Sequence, residues 1–464
     1  MSLSVTSLGA ACNVTGSRHL IEADGIRLLI DCGLYQEREF MARNWEAFPV
    51  PPSSIHAVLL THAHIDHCGF LPRLAKDGFA GRVWATHATA EVAPIVLTDT
   101  ARLQVEEVDT KRRRHEREGR SAPFPLRPLY DEDDVDRLLR RFATVEFGTA
   151  TQVAPGIRAT WLPAGHIIGA AMILVEVEQA GGAPAKRLLF SGDLGRWDRP
   201  LVPDPSDPPY ADLVLVESTY GDRLHTDEHD IPGQLERIIG ETVRLGGSVL
   251  IPSFAVERAQ ELLWYLDRLH RAGRLPNIPV FLDSPMAVNL LEVYRRHPEA
   301  LDQETRDGGF NLGSVRCTKS RKESKAINDH QGPAIIIAGS GMLNGGRIKH
   351  HLSQHIESPA SCLLFVGYQA NGTLGRQLVE GARRVRLFGR DRVVGIRIEQ
   401  VQGFSGHADR DEILAWLGRM QPKPGRVGII HGGESVAPAF ARLVVETLGV
   451  PAAANRYREP VMVS

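Results

Sequence analysis

The segment Thr61-His62-Ala63-His64-Ile65-Asp66-His67-Cys68-Gly69, directly after the apolar run Ala57-Val58-Leu59-Leu60, constrains this chain more than any other feature. On an extended stretch, side chains two apart point the same way, so His62 and His64 can face one point. Asp66 and His67 come after the turn and can face a second. Neutral imidazole and carboxylate suit Zn²⁺ and similar ions. The five cysteines are scattered, with no Cys-x-x-Cys pair, so they form neither a thiolate zinc site nor a disulfide framework. That usage fits a reducing, cytoplasmic location.

Three more segments have the same format, a metal-ligating residue beside glycine at the end of an apolar run. They are Ala164-Gly165-His166, Ser191-Gly192-Asp193 and Ile430-His431-Gly432-Gly433. Glycine lets the backbone approach closely and adopt unusual angles. With His62, His64, Asp66 and His67, these supply enough ligands for two ions. A carboxylate has two oxygens and can bridge such a pair, and Asp193 is the expected bridge.

The scaffold reads as α/β. Residues 26–31, 56–62, 172–177, 187–193 and 212–219 are strand-like apolar runs. Residues 86–118 read as a helix broken or kinked at Pro94, and the proline-rich 121–130 as loop. Between 222 and 393 the texture changes to strand–helix–strand with Gly-rich turns, as in a parallel α/β module. Strand-like runs at 393–401 and 425–433 follow it. The expected division is therefore 1–221, an inserted 222–393, and a return segment 394–464. Hydrophobic residues are 43 % and charged residues 24 %, which excludes a disordered chain. No apolar run reaches about 18 residues, so no membrane span is expected.

With the leading Asp31, these motifs occur in the order found in the metallo-β-lactamase fold. The chain resembles the β-CASP nucleases of that superfamily, which include ribonuclease J and the endonuclease subunit of the pre-mRNA 3′-end cleavage complex. Glu217-Ser218-Thr219-Tyr220-Gly221, Phe404-Ser405-Gly406-His407-Ala408-Asp409 and Ile430-His431-Gly432-Gly433-Glu434 match that family's additional motifs. The resemblance implies an αββα sandwich with an inserted β-CASP α/β domain, in a minimal form without KH or C-terminal domains. It implies that His62, His64 and His166 hold one zinc, that Asp66, His67 and His431 hold another, and that Asp193 bridges them. Asp31 would orient a histidine ligand by hydrogen bond. Glu217 and His407 would pair, with His407 as general acid and Asp66 aligning the attacking water. In the family a histidine at the position of His431 accompanies RNA substrates. The implied activity is hydrolysis of single-stranded RNA to 5′-phosphate and 3′-hydroxyl ends, by an endonuclease, a 5′–3′ exonuclease or both. A DNA nuclease, a small-molecule hydrolase and a non-catalytic RNA-binding subunit are the rivals. The long insert, Glu217 and His407 argue against a small substrate, and the intact ligand set argues against a non-catalytic subunit. Oligomeric state is left open, a homodimer included.

Net charge is −2, so any grip on a polyanion has to be local. Two stretches are dense in positive charge: Ser314–Lys325, and residues 382–392 with Arg383, Arg384 and Arg386. The second is expected to track an RNA backbone in a cleft between the domains. Gly-rich turns at Ser340-Gly341 and around Asn371, and the Asp283-Ser284-Pro285-Met286 segment, are further candidates for contacting substrate. Tyr35 and Trp45 read as core or domain-contact residues, and no aromatic stacking platform is evident. His350, His351 and His355 read as incidental.

Overall fold

The computed structural model describes residues 3–119, 126–225, 230–308 and 315–463. The chain forms two compact units, Met1–Leu224 with Gly406–Ser464, and His225–Ser405.

In the first unit the apolar runs become two seven-stranded sheets. One has the order Pro460–Met462, Leu3–Ser7, His19–Ala23, Ile26–Ile30, Ala57–Leu59, Arg82–Thr86, Phe142–Val145. The other runs Ala452–Ala454, Arg426–Ile430, Leu213–Glu217, Lys186–Phe190, Ala171–Val177, Ile157–Pro163, Thr151–Ala154. Val5, Ile21, Leu28 and Leu59 of the first sheet meet Trp161, Ile173, Val175 and Phe190 of the second in one core. The alternate residues Met172, Leu174, Leu189, Val214 and Val216 face the other way, onto the helices Arg410–Gly418 and Val436–Leu448. Strands buried on both faces are continuously apolar, which is why these runs do not alternate in sequence. The helix His87–Glu118 packs on the outer face of the first sheet. The result is an αββα sandwich.

That helix is not interrupted at Pro94. Proline removes one backbone donor, while buried Val92, Ala93, Val96 and Leu97 hold the turns on either side of it. Residues 121–125 of the proline-rich segment lie outside the described residues.

The second unit is a six-stranded parallel sheet in the order Val315–Cys317, Val280–Asp283, Ile335–Ala338, Val249–Pro252, Cys362–Phe365, Arg397–Gln400. Apolar clusters cover both faces. The unit extends to Ser405 rather than ending at 393. Arg397–Gln400, read from sequence as part of the return segment, pairs in parallel with Cys362–Phe365 as an edge strand. Its period marks a strand but carries nothing about which sheet it joins.

Strand register positions the functional loops. Ile30 lies level with Leu59, Phe190 with Leu215, and Glu217 with Ile430, all in parallel pairs. The loops leaving these carboxyl ends therefore start at matched heights.

Candidate metal centre

Every residue of the His/Asp constellation belongs to the first unit and follows a strand end or precedes a helix. Asp31 follows Ile26–Ile30, His62 to His67 follow Ala57–Leu59, and His166 follows Ile157–Pro163. Asp193 follows Lys186–Phe190, Glu217 ends its own strand, and His431 follows Arg426–Ile430. Asp31 and His431 have φ of 57° and 51°, a left-handed backbone that is uncommon for non-glycine residues. The His431 N–H donates to Ala10 O at 2.8 Å, which holds that conformation.

The side chains converge on two points. His62 Nε2 and His166 Nε2 each lie 3.1 Å from His64 Nδ1. Both also lie 3.5 Å from Asp193 Oδ2. Around the second point, His67 Nε2 is 3.2 Å from His431 Nε2, which is 3.4 Å from Asp66 Oδ2. Asp193 Oδ1 is 3.2 Å from His67 Nε2 and 3.6 Å from His431 Nε2. Ligands on a tetrahedral zinc at 2.0–2.1 Å are separated by about 3.3 Å, the edge of that tetrahedron. The measured separations sit around that edge, though His67 Nε2 to Asp66 Oδ2 is longer at 4.0 Å. Asp193 contributes one oxygen to each set.

Protonation agrees with this fit for the first set, whereas burial is outweighed by the neighbouring carboxylates, which raise His67 and His431, in the second. Burial pushes His62 and His166 well below the ordinary imidazole pKa, and pushes His64 down to about 4. These rings are neutral, with lone pairs to give. Asp193 Oδ1 is buried and makes no hydrogen bond. A buried anionic oxygen without a donor is costly unless a cation faces it. Burial opposes the charge on Asp193, but His431 and His67 outweigh it and keep the carboxylate ionised.

The outer ring nitrogens are also engaged, which fixes the tautomers. His67 Nδ1 donates to Asp31 Oδ2 at 2.8 Å, and His166 Nδ1 to Gly406 O at 2.7 Å. Thr61 Oγ1 donates to Asp31 and accepts from His62 Nδ1 at 3.0 Å. Thr219 Oγ1 lies 3.0 Å from His431 Nδ1 in the same way. Thr61, Thr219 and the Gly406 carbonyl are the functional groups that the sequence reading passed over. The two threonines lie inside the quoted motifs, and their position beside ligands was the available signal.

Next to the two sets, Glu217 is fully buried. Its Oε1 accepts from Leu194 N at 2.8 Å and lies 3.0 Å from His407 Nδ1, while Oε2 accepts from Thr219 N at 3.2 Å. His407 Nδ1 is 3.9 Å from Asp193 Oδ2. Burial works against a charged His407, but the Glu217 carboxylate outweighs it and raises the ring to about 9. Asp193, Glu217 and His407 also form a third grouping tight enough for an ion.

The remaining candidates lie in the second unit. Ser284 Oγ caps the helix Pro285–Arg296 by accepting from Ala287 N. Ser340 Oγ exchanges long hydrogen bonds with Gly345. A Cβ on Gly341 would lie 2.8 Å from the Phe254 ring, which would have to shift to admit it. Asn371 is exposed. Arg383, Arg384 and Arg386 are exposed, and none makes an ion pair among the described residues. Ser314, the start of the other basic stretch, lies outside the described residues. His351 bonds the buried Asp283 at 2.7 Å, and His355 bonds Ser361 at 3.1 Å.

Residues 16–159 match the metallo-β-lactamase superfamily, 259–378 the β-CASP domain, and 392–454 a Zn-dependent metallo-hydrolase RNA specificity domain. The chain is 38 % identical over 446 residues, 95 % of each chain, to Ribonuclease TTHA0252 of Thermus thermophilus. It is 31 % identical over 458 residues to the transcription termination factor FttA of Methanocaldococcus jannaschii, covering 95 % of this chain and 68 % of that one. A crystal structure of a protein of unknown function from Enterococcus faecalis superposes with a TM-score of 0.55 over the whole of both chains at 12 % identity, a likeness of fold. Among the described residues no helix is long and apolar enough to cross a membrane.

Proposed function

Because this chain belongs to the β-CASP family of metal-dependent nucleases within the metallo-β-lactamase superfamily, we propose that it is a zinc ribonuclease cleaving single-stranded RNA to 5′-phosphate and 3′-hydroxyl ends. The observation that carries this reading is the pair of ligand sets sharing Asp193, with the Glu217–His407 pair beside them. His62, His64, His166 and Asp193 would hold one zinc; Asp66, His67, His431 and Asp193 would hold the other. Two such ions supply an activated water and neutralise charge on the reacting phosphate.

The protein's own groups do the rest. Asp66 Oδ2 belongs to the second ligand set, while Oδ1 makes no hydrogen bond among the described residues and can accept one from the attacking water, which orients it. His407, kept charged by Glu217, gives its proton to the departing ribose oxygen. Asp31, Thr61, Thr219 and the Gly406 carbonyl fix the ring angles. The RNA specificity domain match, the ribonuclease relative and His431 at the last motif favour RNA over DNA. The exposed arginines 383, 384 and 386 would take RNA phosphates.

The test is digestion of end-labelled RNAs carrying 5′-hydroxyl, monophosphate or triphosphate ends. Zinc-loaded protein should release 5′-phosphate products, and a chelator should stop it. Cyclic-phosphate ends, or an RNA left intact by zinc-loaded protein, would contradict the reading.

A further inference from the structure

The hairpin formed by Arg384–Leu387 and Arg390–Val393 carries more than its arginines. Its two-residue turn is Phe388-Gly389, with φ of 49° and 77°. Two positive φ values fit the tight turn that a twisted hairpin prefers, and the first central position ordinarily takes Asn, Asp or Gly. A phenylalanine held there is strained, and such strain concentrates where function needs it. Val385 and Leu387 point into the apolar cluster with Ile348 and Leu352, but Phe388 does not join them and is 54 % exposed. Its ring instead rests on the exposed His350, with centroids 4.6 Å apart and planes 26° from parallel. Lys349 Nζ lies 5.8 Å from the ring centre.

The hairpin itself carries mostly positive charge. Arg384, Arg386 and Arg390 are exposed, and none makes an ion pair among the described residues. Arg392 pairs with Glu357 at 3.3 Å, and Asp391 sits opposite Arg386 in register. By strand alternation Arg384 and Arg386 share the hairpin face opposite Val385 and Leu387, so a chain of net charge −2 gathers exposed cations on the hairpin that carries this ring.

We propose that Phe388, backed by His350, is a stacking platform for an unpaired RNA base, with Arg384, Arg386 and Arg390 taking the neighbouring phosphates. Stacking on an aromatic face flanked by cations is how single strands are held without sequence preference. Lys349 lies over the ring, and Arg390 directly follows the Phe388-Gly389 turn. The inference rests on the RNA reading, yet none of these residues belongs to the metal centre.

The experiment measures fluorescence anisotropy of labelled oligouridylate with the full chain in a His407→Ala background and with chelator present, so that cleavage does not compete with binding. Phe388→Ala should weaken binding by about 5- to 150-fold, the range that loss of one base stack produces, with little change in salt slope. Phe388→Trp should retain most of the affinity. Replacing Arg384, Arg386 and Arg390 by Ala should flatten the log–log salt slope by about two units. Duplex RNA, whose bases are already stacked, should not respond to Phe388→Ala. Unchanged oligouridylate affinity in Phe388→Ala, equal loss in Phe388→Trp, or equal loss for the duplex would each overturn the platform. If that happens while the unmodified chain still cleaves RNA, the ribonuclease reading stands. If the unmodified chain neither binds nor cleaves RNA, both fall.

Discussion

Replacing His407 by alanine should separate proton transfer from metal binding. Ligand atoms within each set are mostly 3.1–3.6 Å apart, whereas His407 Nδ1 is 3.9 Å from the nearest ligand oxygen, Asp193 Oδ2. That nitrogen is committed to Glu217 at 3.0 Å. On the proposed assignment His407 is not a ligand, so truncating it should leave the seven proposed ligands in place. A general acid contributes about 10²–10⁴ in rate. That corresponds to about 3–5 kcal/mol on the barrier. The assay is single-turnover cleavage of end-labelled RNA, with elemental analysis of the same preparation. The expected outcome is a rate loss in that range with the metal content of the unmodified protein. Loss of an ion would mean that the Asp193–Glu217–His407 grouping is itself a metal site, and the division of roles would fail.

Glu217→Gln should move the alkaline limb of the kcat–pH profile. Burial lowers His407 and Glu217 raises it more, to about 9, so the acid is lost as pH climbs through that value. Without the carboxylate the burial effect remains and the limb shifts to lower pH; a limb that stays in place would assign it to another group. His64→Ala and Asp193→Ala should each lose metal together with activity, seen by elemental analysis and RNA cleavage. Asp31→Asn should leave the fold intact but weaken metal affinity about 10- to 100-fold, measured by competition with a zinc indicator, because it loosens His67.

Much of the centre was legible because its chemistry needs rare residue types at fixed spacing. His62, His64, Asp66 and His67 stand within one loop, and the Gly-flanked His166, Asp193 and His431 each follow an apolar run, so both pattern and strand ends were readable. Asp193 turns one oxygen toward His62 and His166 and the other toward His67 and His431. What stayed hidden depends on contacts between distant segments. Thr61 and Thr219 look like ordinary polar neighbours until a ring nitrogen is seen 3.0 Å away. The period of residues 397–400 announces a strand but not its sheet, so the boundary of the inserted unit was placed too early. Phe388 was invisible as a platform because nothing local shows that it meets His350, distant in sequence. The break allowed for at Pro94 does not occur, because the packing of Val92, Ala93, Val96 and Leu97 carries the helix past it.

The most direct test is anomalous diffraction at the zinc edge from crystals of protein purified without chelator. Two peaks per chain are predicted, one among His62, His64 and His166 and one among Asp66, His67 and His431, with Asp193 between them. A single peak, or a peak among Asp193, Glu217 and His407, would contradict the two-ion centre on which the proposed ribonuclease chemistry depends.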